Sequence, residues 1–128
     1  GHNRLIHILK ELSSEEAMVL DYMYVKYKQG NNHFDERILY ELHKNHPDKY
    51  QYKPKQDVER EILIVYNLMR LNLIDYGRMN IQEGASSEQI SEGHKLGEEF
   101  GSGIQKSIQL IPLGIKLMKE CEPITDKT

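Results

Sequence analysis

The segment from Val58 to Leu71 constrains this chain more than any other, because Val58, Ile62, Val65, Leu68, Met69 and Leu71 recur at helical spacing. Asp57 stands where it can cap that helix. Leu63, Ile64 and Tyr66 add apolar surface outside the first stripe, which predicts a central helix buried on more than one side.

Other elements are expected around this rod. In Leu12-Ser13-Ser14-Glu15-Glu16-Ala17, Ser13 and Glu16 have capping-box spacing, and Ala17, Leu20, Tyr24 and Tyr27 continue a helix to a stop at Gly30. A short helical lead-in over Leu5 to Leu12 precedes it. Asp35 announces a further helix carrying Ile38, Leu39 and Leu42, which Pro47 ends, and a polar connection containing Pro54 leads to the central helix. Leu73 to Tyr76, closed by Gly77, reads as a short strand, and Ile104 to Leu110 alternates as a second. Pro112 can open a last helix with Leu113, Leu117, Met118 and Cys121 on one face, ending at Pro123. Residues 81–103 form a long Gly-, Ser- and Glu-rich insert between the strands. The expected fold is mainly α within the α+β class: a winged helix-turn-helix-like domain of three helices, a two-stranded hairpin with a long helical or mobile insert, and a C-terminal helix.

At 128 residues the chain is expected to form one domain, 1–128, with residues 1–2 a remnant of a cleaved tag. A formal net charge of −3 excludes an overall basic field, so any contact with DNA needs a local patch. Cys121 is the lone cysteine, which excludes an internal disulfide and a multi-cysteine zinc site. It points to a reducing compartment, and the expected location is cytoplasmic. No apolar run approaches the roughly 20 residues that cross a bilayer, so no membrane contact is expected of this stretch of chain.

Three segments, Leu12 to Ala17, Asn67 to Ile74, and Ile108 to Gly114 continuing to Cys121, together resemble the C-terminal region of the Abi-alpha-like bacterial proteins, a family associated by name with abortive infection. The resemblance spans most of the chain and implies a bacterial, phage-defence context. It supplies no catalytic residue to carry over. The chain departs from winged-helix regulators at Asn72, where they usually have glycine, and at Ile111, where threonine is common.

Lys44, Lys49, Lys53 and Lys55 are interleaved with His43, His46, Tyr50 and Tyr52 just before the central helix, and with Arg60 they are the candidate nucleic-acid contacts. Asp57, Glu59 and Glu61 on the first turns of that helix oppose a phosphate backbone. His46-Pro47-Asp48 is similar to the tripeptide of J-domain co-chaperones, although the basic helix that accompanies it there has no counterpart between Asp35 and Asn45. His43, His46 and Asp48 lack the wider motif of a metal site, and Cys121 reads as a small hydrophobe on a helix face. No metal, cofactor or small-molecule substrate is expected.

The surplus apolar residues Leu63, Ile64 and Tyr66 are the candidate self-association face. The leading expectation is therefore a non-enzymatic module that binds a protein partner or another copy of itself. A DNA-binding regulator using the basic turn 44–60 is the alternative, and a J-domain-like co-chaperone is a third reading.

Overall fold

A computed structural model describes residues 2–77 and 107–122. Their order is α1 (His2–Glu11), α2 (Ser14–Lys28), β1 (Phe34–Asp35), α3 (Ile38–Asn45), α4 (Pro54–Arg70), β2 (Ile74–Gly77), β3 (Ser107–Leu110) and α5 (Pro112–Glu120). The architecture is mainly helical, with one antiparallel sheet in the order β1-β3-β2, consistent with the α+β expectation. The insert at 81–103 and the expected strand residues 104–106 lie outside the described residues.

The capping box at the start of α2 is present: the Ser13 Oγ accepts from the Glu16 N–H at 3.1 Å, and the Ser13 N–H donates to Glu16 Oε1 at 2.9 Å. Glu16 does a second job, because its other oxygen accepts from Asn67 Nδ2 at 2.9 Å and so ties α2 to α4. The inner face of α2 is Val19, Leu20, Met23 and Tyr24, while the expected Ala17 is exposed. At the far end Gly30 takes φ +93°, its N–H reaching the Tyr27 carbonyl while that of Asn31 reaches the Lys26 carbonyl, both at 3.0 Å. That pair of bonds is a Schellman stop, which needs the left-handed conformation glycine adopts without strain.

Asp35 does not open a helix but belongs to β1, where Phe34 pairs with Ile108 and Asp35 with Ser107. The sheet therefore has three strands rather than two, and α3 begins at Ile38. A strand of two residues carries no period to read. It is extended by Asn32, whose side-chain amide exchanges hydrogen bonds of 3.0 and 2.9 Å with the Leu110 carbonyl and N–H, as a strand residue would.

The central helix is also shifted. It starts at Pro54, in the first turn where a missing N–H loses nothing, so Pro54 opens α4 rather than belonging to the connection before it. Asp57 lies inside α4, and its carboxylate reaches back to accept from the Lys53 N–H at 2.7 Å. The buried face is Asp57, Glu61, Ile64, Val65 and Leu68, so Val58 and Ile62 point outward instead of inward. Two acids can occupy that face because both are hydrogen-bonded there.

α4 ends in a second Schellman arrangement: Asn72 has φ +62°, its N–H bonds to the Met69 carbonyl at 2.9 Å, and the Leu73 N–H bonds to Leu68 at 3.0 Å. Asparagine thus fills the left-handed position, which glycine takes at the end of α2. The chain then enters β2, which pairs with β3 from Ile74 opposite Leu110 to Gly77 opposite Ser107. α5 lies close to this junction, since a Cβ added to Gly114 would collide with the Leu73 carbonyl oxygen. One core results, with Leu20, Met23, Phe34, Ile38, Leu68, Ile74, Ile108 and Leu117 among its fully buried members.

Candidate functional site

The shift of α4 about its axis leaves a second apolar row on its outer side. Val58, Ile62 and Tyr66 follow at intervals of four residues and are 37%, 60% and 63% exposed. They cover about 12 Å of helix. Tyr76 of β2 stands across from them, Met69 and Val65 close the floor, and Glu36 and Arg37 from the β1-α3 turn form the rim. Together they enclose an open groove of about 480 Å³.

The walls are held by polar contacts. The Tyr76 hydroxyl donates to Glu36 Oε2 at 3.2 Å. Glu61, only 2% exposed, lies beneath the rim and accepts from the Tyr52 hydroxyl at 2.6 Å and the Tyr40 N–H at 3.3 Å. Arg37 places its Nε 3.9 Å from the same carboxylate and stacks its guanidinium 4.6 Å from the Tyr40 ring centre. Burial and the bond to Glu61 push the Tyr52 phenol up. The groove therefore has a preformed shape with an apolar lining and few charges.

Of the three residues expected to form a self-association face, Leu63 and Tyr66 are 59% and 63% exposed, whereas Ile64 turns into the core at 6%. Ile64 cannot contribute to a surface. Val58 and Ile62 are the groove residues that sequence reasoning assigned to the interior; their four-residue spacing with Tyr66 was the available signal.

The expected basic residues lie on consecutive parts of the chain from α3 into α4. Arg60 is drawn to Asp57 and to Glu15 of α2 by short ion pairs, which offset its charge. Lys44 lies on the last turn of α3, Lys49 in the following turn, and Lys53 and Lys55 at the start of α4; all four are exposed. Lys49 sits with its ammonium 5.3 Å from the Tyr50 ring centre, beside a shallow concavity of about 260 Å³ that Lys26 of α2 also lines.

His46 packs edge-on against Tyr22 and Tyr50, each ring centre 6.3 Å away, with Pro47 and Asp48 exposed beside it. His43 is engaged through Nδ1 with the Tyr50 carbonyl at 2.7 Å. Among the described residues no group of three or more His, Cys, Asp or Glu side chains is arranged to hold a metal ion. Cys121 is exposed at the cap of α5 rather than packed on its apolar face, because the helix ends at Glu120. Desolvation and neighbouring Glu120 push its thiol up, away from the thiolate a nucleophile needs. No helix among the described residues is long and apolar enough to cross a membrane.

The fold and its surface define a small α+β domain with an open apolar groove along its longest described helix. Residues 1–121 match the family model described as abortive infection alpha, and the chain belongs to that family. No curated protein and no solved structure matches the chain.

Proposed function

We propose that this chain is a non-enzymatic interaction module of a bacterial, cytoplasmic abortive-infection protein, and that the α4 groove docks an apolar helical segment of a protein partner or of another copy. The observation that carries this reading is the exposed row Val58, Ile62 and Tyr66 facing Tyr76. A helix laid in such a groove buries its own anchors at matching intervals, the helix-in-groove mode of recognition.

The element order and the β1-β3-β2 sheet support a winged-helix-like arrangement in which α4 holds the position of the recognition helix. Reading bases from that helix needs donors and acceptors such as Arg, Lys, Asn or Gln. The outer row of α4 is apolar instead, which favours a protein over DNA. The exposed lysines at 44, 49, 53 and 55 are what speaks for DNA.

A photo-crosslinking residue at Ile62, compared with one at exposed Lys116 on α5, tests the reading in cells. A protein adduct at 62 that Tyr66→Glu abolishes, with none at 116, is the expected result. Equal adducts at both positions would overturn it, as would duplex DNA binding that Lys53→Glu and Lys55→Glu remove and that weakens steeply between about 50 and 200 mM salt.

A further inference from the structure

The shallow concavity of about 260 Å³ lies between α2 and the turn that follows α3, away from the α4 groove. Tyr22 and Lys26 line it from one face of α2, and His46, Lys49 and Tyr50 line it from the turn. Its walls are fixed from behind. The His46 carbonyl accepts from the Lys49 and Tyr50 N–H groups at 3.1 and 3.0 Å, and the Tyr22 hydroxyl accepts from Asn45 Nδ2 at 2.7 Å. The His46 ring stands edge-on to both tyrosines.

Two ammonium groups are held here over aromatic rings, Lys26 5.9 Å from the Tyr22 ring centre and Lys49 5.3 Å from that of Tyr50. Neither forms an ion pair among the described residues, and the His46 ring makes no hydrogen bond among them. Nor are the lysines needed to satisfy the ends of the helices. The Lys26 carbonyl already accepts from the Gln29 and Asn31 N–H groups at 3.0 Å, and the Leu42 carbonyl accepts from that of His46 at 2.9 Å. Asp21 is the one acid in the lining, and it is exposed. Glu41, which contacts Tyr22, is turned to the Asp35 N–H at 3.0 Å. In a chain of net charge −3, this hollow therefore gathers two cations and an imidazole against one exposed carboxylate.

We propose that this concavity binds the phosphate group of a small monoester, with Lys26 and Lys49 on its oxygens and His46 as a further donor. Ammonium groups act on such a dianion as point charges with several donors each. Met18 and Val25 complete the lining and offer apolar contact to the body of the ester, which a free phosphate would leave unused.

NMR titration of the nitrogen-15-labelled chain with phenyl phosphate tests this, against sodium chloride at equal ionic strength, phenol and inorganic phosphate. Saturable shifts at the amides of Lys26, His46, Lys49 and Tyr50 are expected, with inorganic phosphate binding the same residues more weakly. Lys26→Gln and Lys49→Gln, each first shown to keep the wild-type circular dichroism and melting behaviour, should each weaken binding about tenfold or more. Asp21→Asn should strengthen it, and Lys44→Gln, outside the lining, should leave it unchanged. Shifts that sodium chloride or phenol reproduces overturn the proposal. So does a loss on Lys44→Gln equal to that on Lys49→Gln, which marks a diffuse field rather than a site. Inorganic phosphate that binds as tightly as phenyl phosphate overturns the ester and leaves a simple anion site.

Discussion

The Tyr52 hydroxyl donates to Glu61 Oε2 at 2.6 Å, joining the turn before α4 to a buried position two turns into that helix. The Tyr40 N–H and Arg37 converge on the same carboxylate. Glu61→Ala would leave buried donors without an acceptor, and we expect a loss of about 2–3 kcal/mol in urea denaturation. Tyr52→Phe leaves the carboxylate its other partners and should lose about 1–2 kcal/mol.

Stability should depend on pH at both extremes through one contact. The Tyr24 hydroxyl donates to Glu122 Oε1 at 2.6 Å, with Lys28 3.4 Å from the same oxygen. The bond to Glu122, then burial, push the Tyr24 phenol from 10.0 up to about 12. Its contribution is therefore complete below pH 10 and disappears as pH rises toward 12. Glu122 is held below its ordinary 4.5 by Tyr24 and Lys28, so its contribution is present above that pH and lost as pH falls through the lowered value. The stability difference between wild type and Tyr24→Phe, measured by urea melts across pH, should be flat in between and shrink on each side.

Gly114→Ala should destabilise despite improving helix propensity. The gain in propensity is at most about 1 kcal/mol. The new methyl would collide with backbone, the Leu73 carbonyl oxygen, which cannot swing aside as a side chain could. A net loss of about 2–3 kcal/mol is expected, visible as a lower Tm.

Asn72 gives a contrasting case. Asn72→Gly keeps the left-handed stop of α4 and should change stability by only a few tenths of a kcal/mol. Asn72→Val places a β-branched residue at φ +62° and should lose about 1–2 kcal/mol. Chemical denaturation of the pair separates backbone strain from side-chain contacts.

Local signals in the sequence were readable where one short-range interaction decides the outcome. Ser13 with Glu16, and Gly30 after Lys28, mark the ends of α2 because caps depend on neighbours a few residues apart. The β2-β3 pairing was legible from alternation, and the family from three segments along the chain. The face of α4 was not. Its sequence carries two apolar rows, Val58-Ile62-Tyr66 and Ile64-Val65-Leu68, and hydrophobic periodicity cannot say which turns inward. Glu61 settles it, through partners at Tyr40 and Tyr52 that only the folded chain assembles. The groove was hidden for the same reason, since Val58 and Ile62 read as core while Tyr66 read as surface.

Because β3 lies between β1 and β2, the sheet has no middle until the ribosome has made the stretch from Ser107 to Leu110. A product terminated earlier would keep its first helices yet display two bare strand edges beside Phe34 and Ile74, a surface that invites clumping. Premature stops should therefore yield insoluble material rather than partly working fragments.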